Sequence, residues 1–208
     1  MIKKLLRFYA LPMYILIRPF EGFYNMKFNK EGRLWLALTN FFVVCVSFAF
    51  SVQYTSQLVM PRDNRVMNSF GQFLTLSAML LLFCIANWSV TSLTDGEGKF
   101  KEILMAVCYA MTPLVLTVIP AAILSNYLTA DEAGFYYMIL SAGTFYFVFL
   151  VFAGLVTVHN YTASKALITV FLTFVALLAI VFLITLLFTL LGQFISFISS
   201  VYSEIIFR

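Results

Sequence analysis

GQFLTLSAMLLLFCIANWSVTSL (Gly71–Leu93), TDGEGKFKE (Thr94–Glu102) and ILMAVCYAMTPLVLTVIPAAILS (Ile103–Ser125) are consecutive, and their order decides the fold. Two uncharged apolar stretches, each longer than the roughly 20 residues a spanning helix needs, flank a nine-residue polar hairpin. A connection that short makes the flanking helices antiparallel neighbours. The same reading extends outward to Leu34–Tyr54, Phe135–Val158 and Ala166–Leu191, none of which contains Asp, Glu, Lys or Arg. The chain therefore reads as an all-α integral membrane protein with five transmembrane helices. With 208 residues, 62% of them hydrophobic, little remains for a soluble domain once five spans are subtracted.

Both ends of the chain read as amphipathic interfacial helices. Ile2, Leu5, Leu6, Tyr9, Met13, Leu16, Ile17 and Phe20 follow helical spacing, with Lys3, Lys4, Arg7, Tyr14 and Arg18 over much of the opposite face. Such a segment either attaches to anionic headgroups or packs its apolar face on the rest of the protein. Pro12 is expected to kink or split it, and Pro19, Phe20, Glu21, Gly22, Phe23 and Tyr24 read as a turn with aromatic anchors. No small-residue cleavage site follows, which argues against a signal peptide. From Ala166 onward the apolar run exceeds one crossing, so a division is placed at Gly192. Beyond it Phe194, Ile198, Val201 and Ile205 oppose Gln193, Ser196, Ser200 and Ser203. The expected organisation is a cytoplasmic segment 1–33, a membrane domain 34–191 and an amphipathic C-terminal helix 192–208.

The absence of charge within the spans bears on function. Proton pumps, ion-coupled carriers and intramembrane hydrolases usually keep an ionisable group at membrane depth. The single histidine, His159, and the cysteines Cys45, Cys84 and Cys108 offer no metal-ligand spacing, and no phosphate loop or nucleophile elbow is present. No cofactor, metal or catalytic group is expected. The formal charge of +4 is a topology signal and gives no reason to invoke nucleic acid. Ten basic residues fall on the side of the N-terminus and three on the other, so the N-terminus is expected in the cytoplasm and the C-terminus outside, in a multi-pass protein of the plasma membrane.

Polar residues inside the second and third spans form the candidate site. Asn87 and Tyr109 lie seven or eight residues from the hairpin, roughly 10 to 12 Å deep at 1.5 Å per residue. With Thr112 and the carbonyls freed by Pro113 they could form a polar pocket, with His159 and Asn160 at its rim. The plainer alternative is an Asn87–Tyr109 hydrogen bond between antiparallel helices, worth about 0.6 kcal/mol on average in membranes. His159, without a second histidine or a carboxylate beside it, reads as a headgroup contact more readily than as an acid or base. Asp95, Gly96, Glu97, Gly98 and Lys99 carry the densest charge and could dock a basic partner or cation; otherwise Asp95 and Glu97 cap the next helix. The two glycines are placed where the backbone must reverse.

The run Asn87, Trp88 through Thr94, Asp95, Gly96, Glu97, Gly98, Lys99, Phe100, followed by Tyr109, Ala110, Met111, Thr112, Pro113, resembles the bacterial branch of the Yip family, the Ypt-interacting proteins. The five-span layout and the Pro19 to Phe23 segment fit it too. The resemblance implies a five-span helical protein with a cytosolic N-terminus. In eukaryotic members it implies a role with Rab-type GTPases in trafficking. The long hydrophilic N-terminal region and the Asp-Leu-Tyr-Gly-Pro type signature of those members have no counterpart here, so a Rab-type GTPase is not the expected partner. The leading expectation is a non-enzymatic integral membrane protein, embedded in the lipid bilayer, that binds another membrane protein or a second copy of itself, or organises the membrane around it. The alternative is a transporter, a channel or an accessory subunit of one, using the Asn87, Tyr109 and Pro113 region.

The charge asymmetry makes a testable statement. In a cysteine-free background, single cysteines at Ser203 and Thr94 should react with impermeant reagents from opposite faces of the membrane; labelling of both from one face would refute the five-span count.

Overall fold

The structure, a computed structural model, describes residues 11–59 and 68–206. Lys3, Lys4 and Arg7, the Pro61 to Arg65 loop and Arg208 lie outside the described residues. The described chain is all helical apart from its connections. Helical residues 11–17 (α1) lead into α2 (Pro19–Lys27), followed by α3 (Leu34–Tyr54), α4 (Ser69–Leu93), α5 (Phe100–Ala110), α6 (Thr112–Leu124), a 3-10 turn (Ala130–Glu132), α7 (Ala133–His159) and α8 (Ala163–Ile206). Five helices, counting α5 and α6 as one, are long and apolar enough to cross a membrane.

The α5–α6 pair occupies the centre, packed against α3 on one side and α7 on the other. In α5 every residue from Met105 to Ala110 is buried, so the helix has no lipid-facing stripe. Lipid tails are as apolar as leucine and drive no association, so close packing and polar contacts must hold the bundle together. Small residues provide the closeness. A Cβ added at Gly143 of α7 would lie 2.1 Å from Thr117 Oγ1 of α6, and one at Gly154 would lie 3.2 Å from the Phe23 ring.

The carbonyls freed by Pro113 lie at a bend at Met111, where the third span divides into α5 and α6. Pro113 has no N–H to give the Tyr109 carbonyl. Thr112 Oγ1 donates to that carbonyl at 2.6 Å, and the Asn40 amide of α3 donates to the Cys108 carbonyl at 2.7 Å. Both acceptors exposed by the bend are thereby satisfied within the protein, as hydrocarbon surroundings require.

One expectation is corrected at this end of the chain. Pro19 to Tyr24 is not a turn but the start of α2, with proline at a first-turn position where its missing donor costs nothing. The break between α1 and α2 is confined to Arg18; Pro12 is the second described residue, so the segment before its expected kink lies outside the described residues. Burial explains the difference. Phe23 and Met26 pack into the bundle and require helical spacing, and Gly22 lets α1 fold so closely on α2 that a Cβ there would lie 2.6 Å from Ile15 Cγ1.

The described part of the N-terminal segment has two apolar faces. Leu11, Ile15, Phe23 and Met26 are buried, and the Tyr146 hydroxyl donates to the Leu16 carbonyl. Met13, Ile17, Phe20 and Tyr24 remain exposed. The packed alternative thus describes one face and leaves the other free for an interface.

Gly192 does not divide the C-terminal run. α8 continues through it without a break for 44 residues, about 66 Å at 1.5 Å per residue and roughly twice the thickness of a hydrocarbon core. One glycine costs a helix only about 1 kcal/mol, which a long run of leucine, isoleucine and phenylalanine absorbs. The buried residues of α8 are Ala166, Thr169 and Thr173, all near its start.

These contacts separate the glycines by consequence. Gly143→Val should lower the melting temperature of the detergent-solubilised protein, equivalent to about 1–3 kcal/mol of overpacking. Gly192→Ala, with nothing within 4 Å of the added Cβ, should leave it unchanged or raise it.

Candidate functional site

The hairpin end of the bundle holds most of the candidate residues. The reversal after α4 occurs at Asp95, which adopts φ 55°, and no glycine has positive φ among the described residues. Aspartate tolerates that conformation better than most residues. Gly96 and Gly98 serve a different need than the one expected. A Cβ on Gly96 would lie 2.7 Å from both His159 Nδ1 and Tyr161 Oη; one on Gly98 would lie 2.6 Å from His159 Cε1. They let the end of α7 press against the hairpin backbone.

His159 is only 2% exposed and is not a headgroup contact. Its Nδ1 accepts from the Gly98 N–H at 3.3 Å, and its Nε2 lies 3.2 Å from Asn87 Oδ1. With Nδ1 accepting, the proton sits on Nε2 and is donated to Asn87, which describes a neutral ring. The Asn87 amide donates to Thr173 Oγ1 at 3.1 Å, and that hydroxyl donates to the Thr169 carbonyl. One chain of hydrogen bonds therefore joins the hairpin, α7, α4 and α8. Tyr161 stacks on His159 at 5.4 Å between ring centroids and bonds Thr94 through its hydroxyl. Asn160, at φ 55°, ends α7, and the Tyr161 N–H returns to the Val156 carbonyl.

Lys27 of α2 completes this end. Its Nζ donates to the Val158 carbonyl at 2.7 Å and lies 3.4 Å from Glu97 Oε2. Cations at helix C-termini meet the negative end of the dipole, so Lys27 stabilises α7 while pinning α2 to the hairpin. Its side chain is 9% exposed and that of Glu97 58%, so the carbonyl contact is the sheltered one.

Tyr109 belongs to a separate set. Its hydroxyl donates to the Arg33 carbonyl at 3.0 Å and receives the Arg33 N–H at 3.4 Å, at the entry to α3. The Asn87–Tyr109 pair is thus not formed, and Asn87, Tyr109 and Pro113 do not share one pocket. Counting from the hairpin gives depth but does not say which neighbour a side chain faces. Asn87 faces α7 and α8; Tyr109 faces α3. Among the described residues no buried side-chain nitrogen or oxygen lacks a partner.

What the hairpin exposes is charge. Asp95, Glu97, Lys99 and Lys101 are exposed, while Gly98 is buried against His159. Glu102 reaches back to accept the Lys99 N–H at 3.1 Å, so the acid that caps α5 is Glu102 and not Asp95 or Glu97. Lys27, Tyr161 and Thr173 were not among the sequence candidates. Lys27 is one of the ten basic residues on the N-terminal side and nothing in the sequence sets it apart from the others, whereas the spacing of two between Gly96 and Gly98 is a signal that something bulky approaches this turn.

A protein-family model described as Yip1 domain matches residues 13–186, most of the chain. Neither the curated proteins nor the solved structures yielded a match.

Two predictions follow from the geometry. His159→Phe removes the acceptor of a buried N–H and the donor to Asn87, so it should destabilise the protein by about 1–3 kcal/mol in thermal or denaturant unfolding. Adding Asn87→Val should then cost less than Asn87→Val alone, since coupled partners are not additive. Lys27→Met, which keeps the aliphatic stem but leaves the Val158 carbonyl without its cation, should lower stability and increase proteolysis between α2 and α3.

Proposed function

Because the chain belongs to the Yip1 domain family and carries five helices fit to span a membrane, we propose that it is a non-enzymatic, partner-binding component of a membrane that docks through its hairpin end. One observation carries this reading. Asn87 and His159 are buried and paired within the protein, whereas Asp95, Lys99 and Lys101 stand exposed on a turn held by His159, Tyr161 and Lys27. A preorganised charged surface suits recognition, because little ordering cost remains on binding.

The partner is a second membrane protein or another copy of this chain. The ten-to-three basic asymmetry supports an orientation with the hairpin and N-terminus in the cytoplasm and the C-terminus outside, and the plasma membrane is the membrane proposed. The hairpin and third-span residues support a place in the bacterial branch of the family, and a Rab-type GTPase is not the partner proposed. A transport pathway through Asn87, Tyr109 and Pro113 has less support, since Asn87 and Tyr109 are tied into separate packing sets.

The test is crosslinking and mass spectrometry of the protein in native membranes with hairpin variants chosen to spare the fold. Asp95→Asn keeps a residue that tolerates positive φ, and Lys99→Glu with Lys101→Glu reverses exposed charge. Together they should abolish reproducible crosslinks at unchanged melting temperature, exposed charges contributing little to folding. Crosslinks that survive would refute docking at the hairpin. Tyr109→Phe should leave the crosslinks intact, and if it instead abolished a solute flux the transport reading would stand.

A further inference from the structure

Between α3, α4, α7 and α8, with the α5–α6 joint as its floor, lies a cleft of about 620 Å³. Every side chain lining it is Phe, Val, Leu or Met. The floor residues Phe41, Val44, Leu80 and Val107 are buried, while Phe145 and Phe174 at the rim are exposed. The cleft exists because α8, though it follows α7 after a short turn, packs more closely on α4, where Thr173 meets Asn87. Met111, at the bend, is among the lining residues.

Its depth limits what can occupy it. Val44, Leu80 and Phe145 lie near the midpoints of α3, α4 and α7, which places the cleft in the middle of the hydrocarbon zone. Water does not fill an apolar cavity. An empty space of this size would forfeit the packing contacts of its whole lining. No headgroup or charged ligand has a partner here. We propose that the cleft is a lateral binding site for an acyl chain of a membrane glycerophospholipid, which enters past Phe145 and Phe174 and completes the packing of α8 against the bundle. Its volume falls within the range of about 300–1,000 Å³ typical of sites that enclose a ligand. This inference stands apart from docking at the hairpin, whose residues it does not use.

The experiment uses the unaltered full chain in vesicles of phosphatidylcholine and phosphatidylglycerol, with a trace of phospholipid carrying a mid-chain diazirine. After irradiation, adducts are mapped by mass spectrometry. Adducts are expected on the floor residues Val44, Leu80 and Val107 as well as on outward residues such as Phe182, and Val44→Trp should reduce floor adducts several-fold without changing those at Phe182. Floor residues that stay unlabelled while Phe182 is labelled would overturn the proposal, whether side chains or a helix of a second copy close the cleft. Floor labelling unaffected by Val44→Trp in a folded variant would overturn it as well.

Discussion

A polar group at hydrocarbon depth must find its partner inside the protein, and this constraint organises the molecule. The second and third spans carry the groups that need partners: the Asn87 amide, the Tyr109 hydroxyl and the carbonyls exposed where Pro113 interrupts the helix. Asn87 is met from α7 and α8, and the groups around the bend from α3 and from Thr112 of their own span. Asn87 draws in His159 and Thr173, Tyr109 holds the backbone at Arg33, and Asn40 and Thr112 cover the carbonyls of the bend. These bonds are few, but each specifies which helix lies beside which, something apolar faces in lipid do weakly. The α5–α6 pair is central because most of these needs originate on it or beside it.

The hairpin is the clearest instance of a sequence feature with a cause other than its first reading. Gly96 and Gly98 do not turn the chain; Asp95 does. The glycines are bare because an imidazole and a phenol occupy the places where their side chains would be. A buried histidine with both ring nitrogens engaged acts as a spacer of fixed length between the hairpin amide and Asn87. Lys27 then adds the N-terminal helix to the same assembly, through a helix-end carbonyl that would otherwise lack a partner.

Legibility in the sequence divided along physical lines. Span positions were readable because bilayer thickness demands a length and apolar composition that little else produces, and the bend at Pro113 was readable because proline lacks a donor. Which side chains meet was not. Counting residues from the hairpin gives Asn87 and Tyr109 a similar distance along their helices, yet helix rotation decides their partners, and rotation depends on packing that a sequence without charged markers does not reveal. Pro19 misled because proline opens helices as readily as it makes turns, and the need of Phe23 and Met26 for burial settled the matter. Gly192 misled because a glycine in a helix costs less than a long apolar run returns.

The same accounting explains the unequal anchoring of the spans. α5 is enclosed from Met105 to Ala110, and α7 is gripped by α6, α5 and α2. α8 is tied down only over its first turns, by Ala166, Thr169 and Thr173, and beyond Ile180 every described residue is exposed. Its later hydroxyls, on Thr185, Thr189, Ser196 and Ser200, bond carbonyls of their own helix and ask nothing of a neighbour. Among the described residues, contacts with the bundle are therefore concentrated at the hairpin end and fade along α8. Along the apolar flank that α8 shares with α7, no polar group supplies the specificity that Asn87 and Thr173 supply nearer the hairpin. What occupies that flank is chosen by shape and hydrophobicity alone.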